Sequence, residues 1–272
     1  MIKIQIPTAE RTTERRLGTN PFYFQHQRIY TFCQEFVKNK SVLEFGSGYG
    51  SGAYRLSEFA REVLAIDLDR RSINESARRF KRDNLRFIPG DAESFVSSKK
   101  YEVIVAFQLI EHLKNPDKFI KNICLNLTNE GLLILSTPNA FTQSYNENPY
   151  HYREYSAGEL RKLLSKYFKN VRLLGLFGDK KVIEYEIKRR LAVAGIFGWD
   201  RWGFRKLLPR RLKQKMFDIF AYIRMMLCKW NSTKWQNFSE SNSLIKNKEL
   251  NRAIDFIVIC KNKLPARGEL SR

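Results

Sequence analysis

The sequence contains few cysteines, few histidines and few acidic residues. Its 272 residues include four cysteines, three histidines and 28 acidic residues, against 49 lysines and arginines. The cysteines are widely spaced and form no C-x-x-C pair, which argues against a zinc motif and a disulfide framework. We therefore expect a reducing, cytoplasmic location.

Long apolar runs are also missing. No window of 18 residues is free of charge, so no membrane-spanning helix is expected. Residues 1–7 lack the continuous apolar stretch of a signal peptide. Hydrophobic residues still form 43% of the chain, which is enough for a core and excludes global disorder.

The shortage of acidic residues gives the chain a formal net charge of +21. Fourteen lysines and arginines against four acidic residues lie between Lys180 and Trp230. Such a concentration predicts an anionic partner, either the inner face of a membrane or nucleic acid, with nucleic acid the second choice. A basic face that contacts only solvent is the alternative.

Short apolar runs alternate with helical patterns over most of the chain. This order predicts an α/β fold with a doubly wound parallel sheet covered by helices on both faces. A capping box, Ser156 with Glu159, opens the helix expected over residues 157–168. The expected strands cover residues 41–45, 63–67, 85–88, 101–107, 131–136, 171–177 and 253–260.

The same patterns divide the chain into five parts. We expect an N-terminal helical cap (1–40), a core (41–177), a basic helical insertion (178–250), a final core strand (251–263) and a tail (264–272). Within the insertion, residues 209–230 read as a basic amphipathic helix, a pattern typical of segments in a membrane interface. A lid that packs on the core is the alternative.

A glycine-rich loop follows the first predicted strand. Gly46, Gly48 and Gly50 alternate after Glu44, so the loop can take backbone conformations that a Cβ disfavours and can admit a ligand close to the main chain. The dinucleotide fingerprint G-x-G-x-x-G does not fit, because Ser51 stands at its third glycine. The loop predicts a nucleotide-like cofactor at the carboxyl edge of the sheet.

Other polar residues end the neighbouring strands. Asp67 closes the second strand about 20 residues after the loop, an offset that suits a carboxylate bound to ribose hydroxyls. Asp91 and Ala92 follow the third strand, and Gln108 follows the fourth together with Glu111 and His112. We expect these residues to meet at one edge of the sheet.

With these motifs the chain resembles the class I S-adenosylmethionine-dependent methyltransferases, over about residues 28–177. The resemblance implies a Rossmann-like seven-stranded sheet whose last strand is antiparallel. It also implies S-adenosylmethionine as cofactor, with the methionyl part over the glycine loop, ribose at Asp67 and adenine at Asp91 and Ala92. The cofactor-binding residues implied by the resemblance are Glu44, Gly46, Gly48, Gly50, Asp67, Asp91 and Ala92. We add two candidates from the residues themselves: Gln108 at the end of the fourth strand, and Arg28, which would reach the cofactor carboxylate from the helix of the cap. An exposed arginine without a cofactor contact is the alternative for Arg28.

Transfer to a hydroxyl oxygen requires a group that removes the proton, either a base or a metal-bound species. His112 and His151 are the candidate catalytic bases, because they follow the fourth and fifth strands and flank the expected acceptor pocket. Hydrogen bonding to structure or substrate is the alternative for both.

A narrower resemblance concerns a metal. Small-RNA 2′-O-methyltransferases and, in part, ubiquinone-biosynthesis O-methyltransferases gather a divalent metal with Glu-x-x-Glu-His after the fourth strand. Here Glu111, His112 and His151 match, but Gln108 replaces the first glutamate. That loss of a carboxylate argues against a tight metal site.

These observations predict a methyltransferase that O-methylates a small or lipid- or glycan-linked acceptor near a membrane. Residues 136–139 and 151–155 resemble bacterial methyltransferases associated with surface polysaccharide assembly. Two alternatives stay open: an RNA ribose methyltransferase, and a catalytically silent cofactor-binding protein with a membrane or partner anchor.

Overall fold

A computed structural model describes residues 21–143, 148–197, 209, 211–216, 219 and 238–265. Eight strands form one sheet in the order β3-β2-β1-β4-β5-β8-β6-β7. The strands are β1 (Ser41–Phe45), β2 (Glu62–Asp67), β3 (Leu85–Pro89), β4 (Tyr101–Phe107), β5 (Leu127–Pro138), β6 (Phe168–Gly178), β7 (Ser243–Lys246) and β8 (Asp255–Lys263). The helices are α1 (Pro21–Val37), α2 (Ser51–Leu56), α3 (Arg70–Arg79), α4 (Pro116–Asn126), α5 (Ala140–Gln143), α6 (Ala157–Leu164) and α7 (Lys180–Phe197), with 3₁₀ turns at Ile110–His112, Glu240–Asn242 and Leu250–Arg252.

The expected parallel sheet is confirmed. Strands β1 to β5 pair in parallel, and β8 runs antiparallel between β5 and β6. Every residue of β1 is buried, because one face packs on α1 and α2 and the other packs on α4. Burial on both faces explains why these strands read as continuous apolar runs. The parallel strands β1, β2 and β4 therefore end at one common edge.

The number of strands was predicted wrongly, since the sheet has eight strands and not seven. The additional strand β7 pairs antiparallel with β6, from Ser243 opposite Gly178 to Lys246 opposite Gly175. It lies inside the segment 178–250 that was predicted as a helical insertion, so the end of that segment belongs to the sheet. Four residues, Ser-Leu-Ile-Lys, are too short to give a recognisable alternation.

Two further boundaries differ from the prediction. Strand β5 begins at Leu127, directly after α4, and not at residue 131. Helix α6 ends at Leu164, so Phe168 opens β6 and does not close the helix. The capping box that starts α6 is confirmed, because Ser156 Oγ accepts from the Glu159 amide at 3.3 Å and Glu159 Oε2 accepts from the Ser156 amide at 2.9 Å.

The segments outside the core are described in part. Helix α1 covers residues 21–37 of the expected cap, and residues 1–20 lie outside the described part. Most of the predicted amphipathic helix 209–230 and of the tail 264–272 also lies outside it, although residues 211–216 are helical. No helix in the described residues is long and apolar enough to cross a membrane.

Candidate active site

The glycine loop connects β1 to α2 with its three glycines in left-handed conformations. The φ angles of Gly46, Gly48 and Gly50 are +76°, +53° and +78°. A Cβ on Gly50 would lie 2.7 Å from the side chains of Phe87 and Ser76, whereas a Cβ on Gly48 would have no atom within 4 Å. The loop is therefore packed at Gly50 and open at Gly48, where a ligand can approach the backbone.

Asp67 holds this loop against the end of β2. Its Oδ2 accepts from the Gly48 amide at 2.9 Å, and its Oδ1 accepts from the Asp69 amide at 2.8 Å. The sequence therefore identified correctly that the acid at the end of β2 lies beside the glycine loop. A carboxylate oxygen has two lone pairs and can accept from more than one donor.

Glu44 lies beneath the loop, fully buried. Its Oε1 accepts from the Tyr30 hydroxyl at 2.6 Å, and its Oε2 has no hydrogen-bond partner in the described part of the chain. Burial raises the pKa of Glu44 to about 7, against the opposing effect of the Tyr30 hydrogen bond. Sequence reasoning missed Tyr30, which comes from α1 and fits because Gly52 leaves room for its ring.

The predicted adenine contacts lie after β3. Asp91 is exposed, and its Oδ1 accepts from the Glu93 amide at 2.9 Å, which closes a turn. Ala92 is buried in the core, and its carbonyl accepts from Asn122 Nδ2 at 2.8 Å. Strand β3 runs parallel to β2 and β1, so its carboxyl end lies on the same edge of the sheet as the glycine loop, two strands away.

Gln108 and Arg28 lie in different places. Gln108 follows β4 with a φ of +50°, and its Nε2 donates to Ser136 Oγ at 3.5 Å. Arg28 lines a groove between α1 and strands β6 and β7, with Phe32, Leu174 and Ile245 among its neighbours. Its contact with the cofactor carboxylate stays a prediction.

His112 and His151 meet at the same edge of the sheet. Their rings make an edge-to-face contact with centroids 4.9 Å apart. The Nδ1 of His112 lies 3.3 Å from the Tyr150 carbonyl oxygen. The Nδ1 of His151 lies 3.1 Å from Glu154 Oε1, and its Nε2 lies 3.0 Å from Asn148 Nδ2. The predicted pair is thus confirmed as a spatial cluster, and the local loop 148–154 orients His151.

Glu111 completes this cluster. One ligand atom each from Glu111, His112 and His151 lies within 4.8 Å of the others. Glu111 is fully buried; its Oε2 accepts from the Thr137 hydroxyl at 2.9 Å, while its Oε1 has no hydrogen-bond partner in the described residues. Burial raises the pKa of Glu111 to about 7, and the nearby His151 opposes that shift.

A second buried acid faces the same histidine. Burial and the neighbouring Glu186 raise the pKa of Asp255 to about 7, while Gln108 and His151 act in the opposite direction. Asp255 begins β8, and Glu186 lies on α7. Sequence reasoning missed both, because strand and helix meet this edge from distant parts of the chain. The third histidine, His26, lies on α1, and burial lowers its pKa to about 4.

Comparisons with known proteins agree with this geometry. The family model described as "Methyltransferase domain" matches residues 22–173. A probable S-adenosylmethionine-dependent methyltransferase of Mycobacterium tuberculosis (strain CDC 1551 / Oshkosh) is 34% identical over 186 residues, which cover 66% of this chain and 68% of that protein. The chain belongs to the S-adenosylmethionine-dependent methyltransferases.

More distant relatives of the methyltransferase extend the comparison. A ubiquinone biosynthesis O-methyltransferase of Rickettsia akari (strain Hartford) is 26% identical over 130 residues, covering 46% of this chain and 52% of that protein. The crystal structure of an S-adenosylmethionine-dependent methyltransferase from Thermotoga maritima is 12% identical with a TM-score of 0.57, covering 89% and 92% of the two chains. This structural likeness shows the fold.

S-adenosylmethionine is accordingly the cofactor of the methyltransferase. The described residues fit it, because the loop is open at Gly48 and Asp67 holds that same residue at the rim.

Proposed function

We propose that this methyltransferase methylates a hydroxyl oxygen of a small or lipid- or glycan-linked acceptor near a membrane, with His112 as the general base. One observation carries the proposal: the cluster of His112 and His151 lies at the same edge of the sheet as the glycine loop. An acceptor hydroxyl placed between the histidine cluster and the glycine loop would lie close to a base and to the methyl group of the cofactor.

The chain would bind the cofactor through the rim residues. Asp67 would accept from the ribose hydroxyls, the turn at Asp91 and Ala92 would border the adenine, and the open backbone at Gly48 would admit the methionyl part. The bound cofactor supplies a methyl group on a sulfonium, which leaves easily. The protein therefore contributes mainly the alignment of acceptor and methyl group.

His112 suits the role of base better than His151. When Nδ1 of His112 donates to the Tyr150 carbonyl, the lone pair of that ring is on Nε2, which can take a proton. Both nitrogens of His151 have local partners, Glu154 and Asn148, so we assign to His151 the positioning of the His112 ring.

A divalent metal held by Glu111, His112 and His151 is the alternative way to activate the hydroxyl. Three ligands within 4.8 Å favour it, whereas a single carboxylate whose pKa is raised to about 7 opposes it. The two versions separate by experiment: turnover that survives extensive chelation, and that does not rise with added Mg²⁺ or Mn²⁺, supports the base.

Transfer to oxygen has independent support in the distant similarity to a ubiquinone biosynthesis O-methyltransferase. The net charge of +21 favours RNA as a second candidate acceptor, methylated at ribose. Either acceptor offers a hydroxyl to the same cluster.

The test is to incubate the purified protein and methyl-labelled cofactor with lipid, polysaccharide and RNA fractions of host cells. We expect label as a base-stable methyl ether in the lipid or polysaccharide fraction. Label on RNA ribose would show that RNA is the acceptor and would refute the lipid or glycan acceptor. Label on a nitrogen atom would refute transfer to oxygen. Binding of S-adenosylhomocysteine without label in any fraction would favour the catalytically silent alternative.

A further inference from the structure

Two adjoining grooves lie between α1 and the outer strands of the sheet. One, of about 520 Å³, is bounded by α1, β6 and β7, and the other, of about 500 Å³, runs beside the first half of β6. Arg172 of β6 lines both grooves. We refer to the combined depression, from Lys248 to Lys261, as the α1–β6 furrow.

The walls of the furrow are regular elements. Arg28, Phe32 and Phe36 are spaced by four residues and so form one stripe of α1, about 12 Å long at 1.5 Å per residue. The opposite wall contains Leu174 of β6 and Ile259 of β8. Packed helix and strands thus fix the shape of the furrow.

The charge of the furrow is of one sign. Neither groove is lined by an aspartate or a glutamate. Another basic residue, Arg161, donates to the Val171 carbonyl at 3.2 Å. Six basic side chains line the furrow without a carboxylate within ion-pair distance in the described residues: Arg28, Lys169, Arg172, Lys246, Lys248 and Lys261.

Several basic residues elsewhere on the surface do have such partners, whereas others, such as Arg78 and Lys121, have none in the described residues. Lys40 and Arg61 both pair with Glu102, at 2.9 and 2.6 Å, and Lys166 pairs with Asp117 at 3.0 Å. Six unpaired cations along one furrow repel one another, and an anionic partner would remove that repulsion. The furrow therefore has the charge of a binding surface for phosphate groups.

The aromatic side chains on the α1 wall of the furrow favour lipid over single-stranded nucleic acid. Phe32 and Phe36 pack against each other with ring centroids 5.3 Å apart and against the core, so they give the α1 wall an apolar surface and not an open face for base stacking. Lysine and arginine side chains beside an apolar wall match a lipid headgroup next to its glycerol and acyl carbons.

We propose that the α1–β6 furrow docks the methyltransferase on an anionic bilayer by binding the phosphates of lipid headgroups. Lys246 of β7 lies opposite Gly175 of β6. The residue that follows Gly175 on β6, Leu176, lies opposite Asp255 of β8, which belongs to the active-site edge. Docking would therefore hold that edge beside the bilayer. The proposal rests on the membrane part of the proposed function and is independent of the transfer chemistry.

The experiment measures sedimentation of the full chain with vesicles of phosphatidylglycerol and phosphatidylcholine at 0.1 M salt. The furrow variant carries Arg172→Glu, Lys246→Glu, Lys248→Glu and Lys261→Glu, all at exposed positions. The control variant carries the same charge change at four exposed positions outside the furrow: Arg78→Glu on α3, Lys81→Glu just after α3, and Lys118→Glu and Lys121→Glu on α4. We expect the furrow variant to lose vesicle affinity by about 100-fold or more, and the control to lose less than about fivefold.

Equal losses in the two variants would overturn the proposal, since binding would then follow net charge alone. Absence of binding by the unchanged protein at low salt would also overturn it. A milder variant, Lys246→Gln with Lys248→Gln, guards against misfolding, and we expect it to weaken vesicle binding about tenfold.

Two further measurements separate this proposal from others. Retention of RNA that is lost in the furrow variant, with vesicle binding unchanged, would assign the furrow to nucleic acid and overturn the lipid proposal. Calorimetry with S-adenosylhomocysteine should give the same affinity for both variants as for the unchanged protein. If the unchanged protein binds vesicles through the furrow but transfers no methyl group to any fraction, the proposed function fails while docking stands.

Discussion

The contrast between Gly48 and Gly50 gives a sharp test of the cofactor site. Both residues have left-handed backbones, so an alanine at either position costs about 1 kcal/mol in conformational strain. A Cβ at Gly50 would also lie 2.7 Å from Phe87 and Ser76, and overpacking of this kind costs roughly 1–3 kcal/mol more. A Cβ at Gly48 would meet no protein atom within 4 Å.

The two substitutions should therefore separate stability from binding. We expect Gly48→Ala to lower the free energy of unfolding by about 1 kcal/mol, and Gly50→Ala to lower it by about 2–4 kcal/mol. Gly48→Ala should nevertheless weaken S-adenosylhomocysteine binding by about 100-fold, because its methyl group would enter the space left for the methionyl part. Urea unfolding and calorimetry on both variants make the comparison. Gly48→Ala that binds within about threefold of the unchanged protein would refute this location of the cofactor.

Three other predictions concern catalysis, pH dependence and local stability. His112→Ala should lower kcat by about 10²–10⁴-fold while calorimetry shows unchanged S-adenosylhomocysteine affinity; an unchanged kcat would remove His112 as the base. The pKa of Glu44 is about 7 in the folded protein and 4.5 as its ordinary value, so the folded protein binds this proton more tightly than the unfolded chain does. The resulting contribution to the free energy of unfolding is complete below about pH 4.5 and is lost as the pH rises through about 7. Glu44→Gln should therefore become more stable relative to the unchanged protein between pH 5 and pH 8, and urea unfolding that shows no such change would contradict the burial argument. Ser156→Ala should cost about 1 kcal/mol through loss of the α6 cap, whereas Ser165→Ala at the other end of that helix should cost less than about 0.5 kcal/mol, as thermal or urea unfolding would reveal.

The sequence predicted the core of the fold and the edge of the candidate site, because local patterns locate the strands and the geometry of a parallel sheet then places their ends. Apolar runs located the parallel strands, and parallel strands must end at one edge, so Asp67, Asp91, Gln108 and His112 could be expected along the rim before any coordinates. The alternating glycines likewise predicted a loop with left-handed backbone conformations, which glycine adopts more readily than other residues. These features depend on residues close together in the chain.

The features that were missed depend on contacts between distant segments. Tyr30 reaches Glu44 from the cap, and Asp255 reaches His151 from the last strand, so neither pairing leaves a local signal. Strand β7 is too short for its alternation to be read, and it forms because the second half of β6 offers a free edge. Arg28 was expected to reach the cofactor carboxylate from a helix over the cofactor, and no local pattern indicated that its side of α1 also lines the furrow.

Strand β6 has a further consequence for how copies of this protein behave in solution. It pairs with β8 along most of its length, but β7 covers only Gly175–Gly178, so in the described residues the first half of β6 presents backbone groups at an open edge. An open edge invites a strand from another molecule, and charged side chains on it discourage that pairing. Lys169 and Arg172 stand on this half of β6. Their charges would thus protect the monomer from edge-to-edge association, and neutralising them would risk aggregation as well as loss of docking.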